Sequence, residues 1–249
     1  MEGSLKLVNA QYGILLEFYE NEAAVMVIES KPLRLSLVTE LCRQCMGEDG
    51  SFVLSEDNEI LKINKTADIL LNPFSIDCSQ KKILTKLYQQ IDEIGNENYY
   101  EEKQRINSEI VALLDKVMLN LPYNISFKLE TDLAELCRLY NVQLENSGET
   151  LLERLMDYIK VMSQLCGYKL FVLLNFSQYF CEEEMKQLYK FAAYQKVFLL
   201  RIEYAVSLYN LEERGCIIDE DGCIIVLENH SLQHLPNAVF GENLGEFEV

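Results

Sequence analysis

Apolar residues are concentrated in a few strand-length runs. Lys169-Leu-Phe-Val-Leu-Leu-Asn175 is apolar at five successive positions, Glu182–Tyr194 has helical periodicity, and Lys196-Val-Phe-Leu-Leu-Arg-Ile-Glu203 is a second apolar run. A strand that is apolar on both faces belongs inside a parallel sheet covered by helices on each side. Two such strands do not make a sheet. The comparable runs are Ala23-Ala-Val-Met-Val-Ile-Glu29 and the shorter Ala67-Asp-Ile-Leu-Leu71, about a hundred residues upstream. The pattern predicts an insertion between them, with the sheet assembled from the two ends of the chain.

Around these runs, residues 5–9 and 13–19 read as short strands about a turn at Gln11-Tyr12-Gly13. Residues 33–46 read as a helix with Leu33, Leu37, Leu41 and Cys45 on one face, and residues 51–54 and 60–63 as two further short strands. From residue 79 to 166 the period is helical. Ile83, Leu84, Leu87, Tyr88, Ile91 and Ile94 mark a helix capped at Asp77 or Ser79 and ended by Gly95. Ile106, Ile110, Leu113, Leu114, Val117 and Leu121 mark a second, stopped by Pro122. Leu133, Leu136, Cys137 and Tyr140 mark a third with Asn141 as a left-handed stop, and Leu152, Leu155, Met156, Ile159 and Met162 a fourth ended by Gly167. Every member carries an apolar face, which reads as core. Residues 204–214 read as a loop or short helix, residues 216–226 as a hairpin turning at Gly222, and residues 229–249 hold no long periodic segment. The expectation is an α/β protein with a mainly parallel sheet interrupted by an inserted α-helical subdomain. Its parts are a first head segment over 1–76, a helical leg over 77–166, a second head segment over 167–228 and a C-terminal appendage over 229–249.

The loop between the strand at 23–29 and the helix after it stands where a nucleotide-binding protein places its phosphate loop. It reads Glu29-Ser30-Lys31-Pro32-Leu33-Arg34, with no glycine for close backbone approach and a proline lacking an N–H. No nucleotide and no hydrolase chemistry are expected. Cys42 and Cys45 form the only CxxC among eight cysteines and lack a second pair at zinc-ligand spacing, so they read as half-buried thiols. His230 and His234 are the only histidines and read as part of a loosely ordered tail. No apolar run approaches the roughly 18 residues of a membrane span, and the N-terminus has no basic and apolar leader, so a cytoplasmic protein with no membrane partner is expected.

Net charge is −18, which argues against nucleic acid until its distribution is considered. Residues 1–59 carry 4 basic and 11 acidic side chains, residues 60–91 carry 5 and 2, and residues 92–249 carry 13 and 27. One short basic stretch sits in an acidic protein.

Several segments in order resemble one family, the small accessory protein of type II-A CRISPR loci that acts during spacer acquisition. They are Val25-Met-Val-Ile-Glu29, Asp68-Ile-Leu-Leu-Asn-Pro-Phe-Ser-Ile-Asp77 leading into Lys82-Ile-Leu-Thr-Lys-Leu-Tyr88, and Tyr168-Lys-Leu-Phe-Val-Leu-Leu-Asn175. Residues 184–194, 197–200 and Ile217-Ile-Asp-Glu-Asp-Gly222 complete the series. The resemblance implies a degenerate P-loop-NTPase-like head split by a helical leg, with no enzymatic activity of its own. It further implies a homotetrameric ring encircling double-stranded DNA from an end, braced by calcium, beside the CRISPR integrase complex and the RNA-guided nuclease. On that reading an acidic outer surface confines DNA to a basic inner wall, where each phosphate neutralised releases counterions.

Lys62, Lys65, Lys81, Lys82 and Lys86 are the candidates for that wall because they form the positively biased stretch; Lys128 and Arg138 in the leg are further candidates. Surface lysines equally decorate solvated faces. For calcium, the stretch corresponding to the family's carboxylate cluster offers Glu130, Asp132 and Glu135, with Ile125, Phe127 and Leu129 where alternating acids would serve. Glu130 and Asp132 also fit as carboxylates at a helix N-terminus. Two other readings compete. One is an acidic protein-interaction module of the CRISPR adaptation complex without direct DNA binding; the other is a P-loop-like enzyme with an unusual phosphate site, against which the missing Gly-Lys-Ser weighs.

Overall fold

The computed structural model describes residues 5–20, 22–145, 148–205 and 214–227. Strands β1 (Leu5–Asn9) and β2 (Ile14–Phe18) bury every second side chain, as a sheet with one wet face requires. Strand β3 (Ala24–Ile28) buries all five residues and belongs to a different sheet. With β4 (Phe52–Glu56) and β5 (Glu59–Leu61), the first two form an antiparallel sheet in the order β2-β1-β4-β5. The expected strand over 60–63 ends at Leu61, since Ile63 already opens a one-turn helix.

The second sheet is the doubly buried one. Strands β6 (Ala67–Leu70), β7 (Leu170–Leu174), β8 (Phe198–Glu203), β9 (Arg214–Ile218) and β10 (Ile224–Leu227) join β3 in the order β10-β9-β3-β8-β7-β6. All neighbours are parallel except β10 and β9. Thus β3 sits between β8 and β9, and the sheet is built from both ends of the chain. Gly215 is required there: a Cβ on it would lie 1.7 Å from the Val25 carbonyl oxygen of the neighbouring strand.

Helices cover both faces of this sheet. On one side α1 (Lys31–Cys45) and the small sheet enclose Leu5, Phe18, Met26, Leu37, Leu41, Val172 and Leu200. After the short α2 (Ile63–Thr66) and β6, the chain leaves for the insertion, made of α3 (Lys81–Asn98), α4 (Tyr100–Met118), α5 (Leu133–Leu139) and α6 (Leu151–Cys166). Of these, α6 returns to the sheet. Its Leu155, Tyr158, Ile159 and Met162 pack with Ile83, Phe171, Leu199 and Leu188 of α7 (Glu182–Tyr194) on the opposite face. Thr150 and Glu153 cap the start of α6 reciprocally, and Gly167 ends it at φ 76°; Asn141 stops α5 at φ 51°.

The outer part of the insertion is held by a few polar contacts. Asp92 of α3 accepts from the Leu133 N–H at 2.9 Å and from Lys103 Nζ at 3.4 Å, which fastens α5 and α4 to α3. The Tyr88 hydroxyl donates to the Val142 carbonyl at 2.8 Å. Three expectations change here. Gly95 does not end α3; it is buried three residues before the helix stops, and a Cβ on it would lie 2.0 Å from Leu133 Cδ1. Absence of a side chain serves close helix approach here, not termination. Neither Asp77 nor Ser79 caps α3, whose N-cap is Gln80; Asp77 instead accepts from Ser79 within its own turn, at 2.7 Å to the N–H. Helix α4 ends at Met118, before Pro122, and has no buried residue, so its apolar face is not core. The expected C-terminal appendage, His230, His234 and most of the 204–214 segment lie outside the described residues.

Candidate nucleic-acid interface

The basic stretch folds around Asp68 and Tyr168. Asp68 on β6 accepts from Lys82 Nζ at 3.1 Å and from the Tyr158 hydroxyl at 2.6 Å. The Lys82 ammonium also stands 5.2 Å from the centroid of the Tyr168 ring, whose hydroxyl donates to the Asn64 carbonyl of α2 at 2.9 Å. These contacts bring α2, the start of α3 and the turn from α6 to β7 to one place. Lys62 at the N-cap of α2 and Lys65 within it are exposed; Lys81 and Lys86 are exposed on the first turns of α3. Lys82 differs from them. Its charge is already compensated by Asp68 and shared with a ring face, an arrangement that fixes it in the structure.

The environment also affects the thiols and phenols nearby. Burial, then the Asp68 carboxylate, pushes the Cys45 thiol up to about 12, and burial pushes Cys166 and Tyr168 upward as well. Tyr158 is raised by burial first and Asp68 second, so it is held as a hydroxyl donor. Cys42 and Cys45 are both free thiols on α1. No helix among the described residues is long and apolar enough to cross a membrane.

The leg candidates lie on other elements. Lys128 Nζ is 2.8 Å from Glu135 Oε2, a hydrogen bond that raises the lysine's pKa, and the Arg138 guanidinium stands 5.8 Å from the Tyr88 ring centroid. Neither contact involves the Asp68 network.

The three carboxylates expected for calcium do not fit a calcium ion as a set. Asp132 is the N-cap of α5, its Oδ1 accepting from the Glu135 N–H at 2.8 Å, and Glu135 is the partner of Lys128. Glu130 and Asp132 line a cavity of about 360 Å³ together with Lys103 and Lys128, two cations that oppose a third. Among the described residues no group of three or more His, Cys, Asp or Glu could hold a metal ion. Calcium needs six to eight oxygens converging on one point. It would have to find them elsewhere than in these three residues.

Two buried groups have no counterpart in the sequence reading. Arg201 and Glu203 are 0 and 2 % exposed on β8, inside a run that reads as apolar. Arg201 Nη1 lies 3.9 Å from Glu203 Oε1, while Glu203 Oε2 accepts from Ser177 Oγ at 2.7 Å. A lone charged residue of each sign two apart in an otherwise apolar strand is the signal that marks such a pair.

A sequence model of the family described as CRISPR-associated protein (Cas_Csn2) matches residues 44–222, more than two thirds of the chain. The chain belongs to this family. The match spans α2, the insertion, the strands β4 to β9 and the Asp68 network. It therefore ties these elements to a CRISPR-associated protein. No curated protein matches the chain. Among solved structures, an ATP-binding cassette of an ABC transporter in its ADP conformation aligns over 90 % of each chain at 9 % identity with a TM-score of 0.45. The mixed α/β architecture with a mostly parallel sheet is evident from the strand pairing itself.

Proposed function

We propose that the protein is a sequence-independent clamp for the ends of double-stranded DNA, formed as a homotetrameric ring and accessory to CRISPR spacer acquisition. The observation that carries this is the placement of Lys62, Lys65, Lys81 and Lys86, exposed around one polar network in a protein of net charge −18. Four copies would turn these few cations into a continuous lining, and acidic surfaces elsewhere would repel DNA from every other approach. Lys82 would support the lining through Asp68 more than contact phosphate. Lys128 and Arg138 would extend it along the leg. The integrase complex and the RNA-guided nuclease are the proposed partners, in the cytoplasm.

The clamp has no reaction of its own in this reading. The turn after β3 enters α1 through Ser30, Lys31 and Pro32, with no glycine and with one N–H missing from the first helical turn. That turn offers a poor phosphate cradle.

A second reading rests on the charge itself. Glu182, Glu183 and Glu184 crowd the first turn of α7 on a chain already rich in acids, and such a surface suits a basic protein partner in the adaptation complex. The deciding experiment compares retention of linear duplex with that of a covalently closed circle of the same sequence, with calcium and with chelator. Retention of the linear form alone supports a threaded ring, and its weakening by chelator supports calcium bound by other ligands. Equal retention of both forms replaces the ring with an open cationic face; no retention favours the acidic module.

A further inference from the structure

Helix α4 carries an apolar stripe that the protomer leaves uncovered. Ile106, Ile110, Leu113 and Val117 are 47, 42, 60 and 54 % exposed. Their spacings of four, three and four residues follow the 3.5-residue repeat of a coiled-coil seam, and at 3.6 residues per turn they lie within about 60° of one another on the helix. The helix meets the rest of its own chain along a different line. Lys103, Gln104, Asn107, Val111, Leu114 and Met118 are the half-buried positions there, about 100° round the cylinder. Asn107 Nδ2 donates to the Leu129 carbonyl at 2.7 Å and Lys103 reaches Asp92. Folding of the protomer thus uses one face of α4 and leaves the seam unused.

We propose that this seam pairs with the same seam of a second copy, in antiparallel orientation. A two-fold axis passing between Ile110 and Leu113 sets Ile110 against Leu113 of the other copy and Ile106 against Val117. The charges beside the stripe choose the direction. Glu109 and Lys116 are both exposed, seven residues apart on the side away from the protomer's own contacts, and neither is engaged in an ion pair among the described residues. In an antiparallel pair these flanking positions face each other, so Glu109 meets Lys116 of the other copy, twice. In a parallel pair flanking contacts run five residues along, and Glu109 would meet Leu114. Only the antiparallel register matches charge with charge. Like charges facing each other would weaken it, which makes the orientation testable.

The inference deepens the proposed ring by assigning one of the contacts that join its copies, and it rests on that reading only in requiring a second copy. The test is sedimentation velocity on the full chain for wild type, Leu113→Asp, Glu109→Lys, Lys116→Glu and the double swap, with far-ultraviolet circular dichroism confirming that each variant folds. Leu113→Asp is expected to reduce the assembled mass with helix content unchanged. Each single reversal is expected to weaken association by up to about tenfold, and the double swap to restore it. Unchanged mass for Leu113→Asp, a double swap no better than its parents, or a monomeric wild type at tens of micromolar would overturn the seam. Duplex retention on the same samples separates the two ideas. A wild type that assembles through the seam but ignores DNA removes the clamp and keeps the seam; a Leu113→Asp variant with full mass and full DNA retention does the reverse.

Discussion

The Tyr158 hydroxyl, on the returning helix of the insertion, donates to Asp68 Oδ2 at 2.6 Å across 90 residues of sequence. Asp68 then holds Lys82 with its other oxygen. One carboxylate therefore joins the sheet, the start of the leg and the end of the leg. Tyr158→Phe is expected to cost about 1–3 kcal/mol, because Asp68 keeps its desolvation and loses a donor. Urea unfolding followed by circular dichroism would show a lower midpoint at unchanged slope.

The pH dependence of stability follows from buried thiols and a buried phenol, two of them beside Asp68 and one, Cys216, on β9. Cys45 and Cys216 are pushed by burial up to about 12 from an ordinary value of 9.0, and Tyr158 is raised from 10.0. Groups whose folded values lie above their unfolded ones contribute fully below the unfolded value. That contribution is lost as pH rises, because the unfolded chain releases protons that the folded chain retains. Stability should hold to about pH 8.5 and then fall steadily through pH 11, a decline that Cys45→Ala and Tyr158→Phe would each make shallower. Thermal melts across that range check it.

The lysines should divide into two kinds. Replacing Lys62, Lys65, Lys81 or Lys86 by alanine is expected to lower DNA affinity equally for all sequences and to reduce the slope of log affinity against log salt by up to about 0.9 per contact. Lys82→Ala should instead lower the melting temperature, since it leaves Asp68 with a single donor. Salt titrations alongside thermal melts distinguish the two effects.

Gly95 and Leu133 form a matched pair. Gly95→Ala gains helix propensity of about 1 kcal/mol but drives a methyl against Leu133, at a cost of about 1–3 kcal/mol. The expected net effect is destabilisation, relieved when Leu133→Ala is added. A double-mutant cycle by chemical denaturation would measure the coupling.

Asp132 should behave as a cap. Asp132→Ala is expected to cost about 0.5–2 kcal/mol of stability, whereas Glu130→Ala should cost little. Any rise in melting temperature that calcium gives the wild type should be the same in the Glu130→Ala and Glu135→Ala variants.

Much of the fold could be read where periodicity and burial agree. The doubly buried runs 170–174 and 198–203 are strands of the parallel sheet, and the helix at 182–194 is found with the same ends. Asn141 and Gly167 stop their helices as their conformational freedom suggests. Periodicity could not say which apolar stripe faces the core: Ile110 and Leu155 have equally good helical spacing, yet one is 42 % exposed and the other 0 %. Glycine was ambiguous for a similar reason, since Gly95 permits either a stop or a close approach and only the position of Leu133 decides. At the candidate site, the grouping of lysines on α2 and α3 was visible as a charge bias. The pairing of Lys82 with Asp68 was not, because it depends on how far the strand β6 and the helix α3 fold back on each other. The carboxylates near Glu130 stand as potential ligands only through the correspondence with the family's carboxylate cluster, and a linear sequence does not show that a backbone N–H already occupies Asp132 and a lysine Glu135.

The position of β3 between β8 and β9 also governs how the chain is made. Emerging early from the ribosome, this fully apolar strand has no lateral neighbour until synthesis has passed Glu203 and lacks its second until Ile218. Pairings this distant in sequence close slowly, and an unpaired apolar strand is prone to pair with other chains meanwhile. The intervening helices have mostly local contacts and can form first. Biosynthesis thus leaves an adhesive edge waiting for the last strands of the sheet, and truncation before Arg214 would leave that edge permanently open.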